Sequence, residues 1–178
     1  MSGIFFTSDH HFGHTNIIES CNRPYKYACE MDEDMIRKWN NVVSPKDKVY
    51  YLGDLSFHGR EKTDQILRRL NGDIYYIKGN HDKSLNRYEW RFHWIKDLFD
   101  LKVDNKTSIT LCHYAMRSWN KSSHGSYHLY GHSHGNLPGT LKSFDIGVDN
   151  WNFTPVPLSV VMHTFRLLGE EIEDKDKG

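Results

Sequence analysis

The chain has 178 residues, with 23 Lys+Arg against 23 Asp+Glu and 12 His. A chain of this size buries about 70% of its unfolded surface, so one domain can hold together without disulfides or a structural metal. A hydrophobic share of 38% with 13% aromatic residues excludes wholesale disorder, and the balanced charge excludes nucleic-acid binding through a broadly basic surface.

The pattern is short apolar runs alternating with amphipathic helices. Ile4–Phe6 is a β-type run that stops at Ser8-Asp9. Met31, Met35, Ile36, Trp39 and Val43 fall on one helical face, and Ser44-Pro45 ends that helix. Val49–Leu52 stops at Gly53-Asp54. Ile66, Leu67 and Leu70 mark another helix, closed by Asn71-Gly72. Ile74–Ile77 stops at Gly79-Asn80-His81-Asp82, and Tyr88, Phe92, Ile95 and Phe99 suit a further helix.

The second half is strand-rich. Phe99, Leu101 and Val103 alternate with charged residues, Asp104-Asn105-Lys106 can turn the chain, and Ile109 and Leu111 alternate out of the turn to stop at Cys112-His113. Tyr127–Tyr130 stops at Gly131-His132-Ser133-His134. Phe144, Ile146 and Val148 give one more strand, and Leu158, Val161, Met162, Phe165 and Leu168 give a final helix. The reading is an α/β fold, two sheets packed as a sandwich with helices on the outer faces, in four αββα layers. One domain spans 1–169, and 170–178 is a charged tail expected to fray into solvent. Three cysteines without C-x-x-C spacing read as reduced thiols. Neither a secretory signal nor a spanning segment is visible, so a cytoplasmic protein without membrane contact is expected.

Five apolar runs end in polar clusters able to bind metal: Asp9-His10-His11, Gly53-Asp54, Gly79-Asn80-His81-Asp82, His113, and Gly131-His132-Ser133-His134. Strand ends from distant parts of a chain converge at the carboxyl edge of a sheet. Asp9 and His11 are two apart, as are His132 and His134, which in extended chain puts each pair on one face. Carboxylate oxygens mixed with imidazoles suit Mn²⁺, Fe or Zn²⁺ better than Ca²⁺. Two carboxylates, four imidazoles and an amide oxygen suffice for two divalent transition metals if one carboxylate bridges, with manganese favoured. Such a pair polarises a phosphate ester and turns bridging water into hydroxide.

The series D-x-H, G-D, G-N-H-D, H and G-H-x-H, in this order from Ile4 to Val148, resembles the calcineurin-like metallophosphoesterase superfamily. The opening SDHHFGHTNII resembles a compact single-domain branch of it. The resemblance implies that Asp9, His11, Asp54 and His134 hold one metal and Asp54, Asn80, His113 and His132 a second. His81 would stay off the metals and face the scissile phosphate, with Asp82 orienting its ring. Two departures stand: Leu55-Ser56-Phe57 follows Asp54 where many larger relatives carry a second Asp, and His113 lacks a following Gly-His-like pair. The implied activity is hydrolysis of a phosphate mono- or diester of a small phosphorylated substrate, a nucleotide among the candidates. A nuclease is the first alternative, and a non-catalytic scaffold keeping the fold is the second.

Other residues admit two readings each. His14 either reaches a bound phosphate or caps a helix starting near Thr15-Asn16. Arg23 is a bidentate phosphate clamp or a surface arginine. In the polar connection Arg117–Ser126, Trp119 stacks on a base or packs on the core, and Arg117 or Lys121 neutralises phosphate or stays in solvent. His10 points away from His11 and reads as structural.

Overall fold

The computed structural model describes residues 2–83 and 85–175, the last stretch beyond Gly169 as backbone only. Its strands are β1 (Ile4–Thr7), β2 (Lys48–Tyr51), β3 (Asp73–Ile77), β4 (Phe92–Lys96), β5 (Leu98–Lys102), β6 (Ser108–Cys112), β7 (Tyr127–Tyr130), β8 (Ser143–Asp145) and β9 (Val156–Pro157). Its helices are α1 (Thr15–Ser20), α2 (Ala28–Val42), α3 (Arg60–Arg69) and α4 (Leu158–Lys175). The expected charged tail therefore begins within α4, and its last residues, 176–178, lie outside the described ones. No described helix is long and apolar enough to cross a membrane.

The strands form two sheets, ordered β4-β3-β2-β1-β9 and β5-β6-β7-β8. In the first, β1 to β4 run parallel and only β9 is antiparallel. Thr7 pairs with Tyr51 and Tyr51 with Tyr76, so three carboxyl ends finish level. In the second, β6, β7 and β8 are parallel, and β5 returns antiparallel through the turn at Asp104. The Asp104 carboxylate accepts the Lys106 and Thr107 amides there, as a short acidic side chain does in tight turns.

Two cores follow from the alternation of the strands. One face of the first sheet buries Val49, Tyr51, Ile74 and Tyr76 against Met31, Met35, Trp39, Ile66 and Leu67 of α2 and α3. The opposite face turns Phe6, Tyr50, Leu52 and Ile77 toward Ile109, Leu111 and Leu129 of the second sheet. Each large side chain so buried contributes about 1.5–3 kcal/mol. Helix α4 closes the gap between the sheets, with Phe165 stacked on Tyr127 and against Phe144. The outward face of the second sheet is covered mainly by connections: Trp119 lies on His128, and the Tyr130 hydroxyl donates to the Leu137 carbonyl.

One predicted helix is corrected. Leu85–Arg91 is a 3₁₀ stretch, and Phe92–Lys96 is strand β4 at the edge of the first sheet. The aromatic spacing fits either period. Pairing with β3, where Tyr75 meets Trp94, decides for the strand.

Candidate metal centre

The five polar clusters meet at one edge of the sandwich. The junction is pinned by backbone: the Asp9 amide donates to the Gly53 carbonyl, His11 to Asp54, Gly131 to His113, and Val148 to Ser8. Asp9, His11, Asp54, His132 and His134 all have positive φ, between 46° and 66°. The two-apart pairs converge through these left-handed kinks, and not through extended chain as expected. Such conformations are costly for residues with a Cβ and persist where the surroundings hold them. Two glycines permit the crowding. Gly53 has φ 95°, and a Cβ there would lie 2.6 Å from the Gly79 amide nitrogen; a Cβ at Gly131 would strike Ser8 and Asp9.

Two groups of donors result, Asp9 with His11 and His134, and Asp54 with His113 and His132, each with ligand atoms within 4.8 Å of one another. Asp54 Oδ2 lies between them, 3.5 Å from His11 Nε2 and 3.5 Å from His113 Nε2. Asn80 Oδ1 is 3.1 Å from His113 Nε2. The buried Asp9 Oδ1 and both nitrogens of His11 have no hydrogen-bond partner among the described residues. A buried carboxylate oxygen facing unpaired imidazoles costs free energy unless a cation satisfies it, so the donor set fits metal ions.

Each ring is set from behind. His113 Nδ1 donates to the Leu52 carbonyl at 2.6 Å, which turns Nε2 inward. His134 Nδ1 meets Asp149 Oδ2 at 2.7 Å. Burial works against charging His134, but Asp149 and Asp9 outweigh it and hold its pKa above the usual value. Burial would likewise raise Asp54; the His113 ring and the His81 amide outweigh it and hold the carboxyl below the usual range. His10 points the other way, into the first core. Its Nδ1 bonds the Tyr51 hydroxyl at 2.7 Å, and burial followed by the Arg23 charge pushes its pKa down to about 3.

Several predicted roles meet a different geometry. Arg23 is buried, and its guanidinium donates to both oxygens of Asp149, to the Asp9 and His10 carbonyls and to Met31 Sδ. All five N–H groups are engaged, so the phosphate clamp is not assembled there; Arg23 braces the first donor group through Asp149. Asp82 accepts the Asp54, Leu55 and Gly79 amides and the Tyr76 hydroxyl. It organises this turn and makes no hydrogen bond to the His81 ring. His81 is instead placed by its own amide, which donates to Asp54 Oδ1, and by Phe57, 4.9 Å from its ring. The His81 side chain is 46% exposed, with Nε2 3.9 Å from Asp54 Oδ2.

His14 stands at the N-cap of α1 without a capping bond and stacks on Phe57 at 3.9 Å. Arg117 is exposed and forms no ion pair among the described residues. Trp119 packs inward, donating to the Ser126 carbonyl and lying 5.2 Å from His128, so it offers no stacking platform. Three neighbours were not read from the sequence: Asp149, Phe57 and Tyr114, whose ring stands edge-on to His113 and His132. Asp149 had a signal, since it follows the apolar Ile146 and Val148 as the other acids follow their runs.

The chain matches the calcineurin-like phosphoesterase family over residues 3–113. It is 35% identical over 171 residues to an uncharacterized protein of Methanocaldococcus jannaschii, covering 91% of this chain and 90% of that one. It is 26% identical over 183 residues to the Gene 66 protein of Mycobacterium phage D29, covering 85% and 90%. A protein of unknown function from Aquifex aeolicus has the same fold, with a TM-score of 0.73 at 21% identity, covering 92% of this chain and 100% of that one.

Proposed function

Because this chain belongs to the calcineurin-like phosphoesterase family, we propose that it is a dinuclear metal-dependent phosphoesterase that hydrolyses a mono- or diester of a small phosphorylated substrate. The observation that carries the reading is Asp54 Oδ2, 3.5 Å from an imidazole nitrogen of each donor group. A carboxylate so placed suits a bridge between two ions. Asp9, His11 and His134 would complete the first position with it, and Asn80, His113 and His132 the second. The mixed oxygen and imidazole donors favour manganese, iron or zinc, with manganese first. When bound, two such ions supply Lewis acidity and water activation.

The chain's own residues supply the rest. His81 belongs to neither donor group and is half open to the cleft, so it can protonate the leaving oxygen. Phe57 holds its ring, and the Asp54 carboxylate fixes its backbone. The tightly bonded turns at Asp82 and Asp145 keep these parts in place: Asp145 accepts the Ser133 hydroxyl and the Gly135 and Gly147 amides. Free cysteines at 21, 29 and 112 suit the cytoplasm as the working compartment.

The test is to strip the protein of metal, restore Mn²⁺, Fe²⁺ or Zn²⁺ separately, and measure hydrolysis of a mono-aryl and a bis-aryl phosphate with bound metal counted. Two ions per chain and metal-dependent turnover are expected. Full activity with confirmed metal loss would sink the reading; one ion per chain would remove the dinuclear part.

A further inference from the structure

Next to His81 lies a cleft of about 290 Å³. Leu55, Leu85 and Tyr88 give it an apolar floor, and Arg60, Lys83 and Arg87 stand around it. Leu85 and Tyr88 are buried, while the three cations are exposed. None of the three forms an ion pair among the described residues, unlike Arg37, Arg68 and Arg69, which each hold a carboxylate. Among the described residues, the one carboxylate lining the cleft is Asp82, whose oxygens already accept three amides and a hydroxyl. Helix α3 starts in the same wall. Its N-cap is Gly59, which has no side chain to cap the first turn, and the space beside it is open. Glu61 in the first turn offsets part of the helix-end potential, so the three cations carry the positive charge of the site.

We propose that this cleft is a subsite for a second anionic group, a carboxylate or a phosphate, carried on the leaving-group side of the substrate. The inference rests on the phosphoesterase reading, because His81 at its mouth is what places it on that side. Its volume sits at the low end for ligand pockets, roughly 300–1,000 Å³, which suits a substituent and not a whole cofactor. Arginines offer forked donors that match carboxylate and phosphate oxygens, and an apolar floor accepts the carbon skeleton between the two anions. The substrate class is then an organic phosphate ester bearing a further acidic group, for which a plain aryl phosphate is a poor surrogate.

The test uses non-hydrolysable probes on the Mn²⁺-treated full chain: benzylphosphonate, 4-carboxybenzylphosphonate and 4-phosphonobenzylphosphonate, titrated by calorimetry. At least one doubly acidic probe should bind about tenfold more tightly than benzylphosphonate, and the better of the two names the preferred anion. The doubly substituted Arg60→Ala/Arg87→Ala protein, and separately Arg87→Glu, should lose that advantage. Equal affinities, no binding by any probe, or an advantage kept in both variants would overturn the subsite. Hydrolysis of phenyl phosphate, 4-carboxyphenyl phosphate and 4-phosphonophenyl phosphate is measured in parallel. Discriminating binding without hydrolysis of any of the three in any metal would defeat the phosphoesterase reading and leave the cleft only as an anion-binding site. Hydrolysis without discrimination would defeat the subsite and leave the phosphoesterase reading standing.

Discussion

The two donor groups are built alike in front and differently behind. In the first, Asp9 and His11 are buried, and His134 is backed by the Asp149 carboxylate, which Arg23 holds from below. In the second, His113 is backed by a neutral carbonyl, and His132 is exposed beside the exposed ring of Tyr114. Charge held in a closed network fixes the first group; backbone and aromatic edges fix the second, which reaches solvent at His132 while Asp54 and His113 stay buried. A carboxylate behind an imidazole raises its basicity and fixes its tautomer, so the first position should bind its ion more tightly and exchange it more slowly.

Asp54 is where the comparison breaks most completely, because its Oδ2 lies 3.5 Å from an imidazole nitrogen of each group. Asp54→Asn should empty both positions and lower kcat/KM by about three orders of magnitude, roughly 4 kcal/mol of transition-state stabilisation. Metal analysis of the purified variant checks it: retention of two ions would deny Asp54 its bridging place. His81→Ala separates chemistry from metal binding. A rate loss of about 10²–10⁴ with unchanged metal content is expected for a proton donor outside both groups. Loss of metal in that variant would make His81 a ligand.

A narrower change sharpens the difference between the groups. Asp149→Asn keeps the shape behind His134 and removes the charge, so the affinity of one ion should fall about 10–100-fold while the other holds. Two-site metal titration reads this directly. Equal weakening of both ions would show that the Arg23–Asp149 network serves the whole edge and not one group.

How far the sequence reached follows the same divide. The donors themselves were legible because each ends an apolar run, and a strand's carboxyl end is a place that topology brings to its neighbours' ends. The supports were not. Arg23 and Asp149 are 126 positions apart, and nothing local marks their pairing. Phe57 looks like an ordinary hydrophobic residue until its ring is found against His11, His14 and His81. Asp82 sits beside His81 in the chain, yet its carboxylate is engaged by amides and a tyrosine. Local spacing could not expose that competition among acceptors. The stretch from Tyr88 to Phe99 was misread for a related reason: its spacing suits two periods, and an edge position on β3 chose between them.

The smallest effect concerns the wall beside the second group. His128 is buried, donates from Nδ1 to the Thr110 carbonyl and accepts the Met116 amide at Nε2. The acceptance at Nε2 requires the neutral ring, and burial lowers the pKa despite the Thr110 carbonyl, which favours the charged form. The unfolded chain therefore takes up a proton that the folded chain resists. The stability contributed by His128 is fully present above the unfolded value near 6.5 and is lost as pH falls from there toward the lower folded value. Asp149, behind the first group, is likewise held below its unfolded value, so its contribution is also lost as pH falls: burial would raise it, but His134 and Arg23 outweigh burial and hold it below the usual carboxylate range. Its contribution lasts until acid well below the histidine range. Mild acid should then loosen the connection from Met116 to Ser126 before it touches the Arg23–Asp149 network. Amide hydrogen exchange at about pH 5 and pH 7 on metal-free protein checks the order, and His128→Gln should remove the pH dependence at Met116. Protection lost first around Asp149 would reverse the ranking of the two walls.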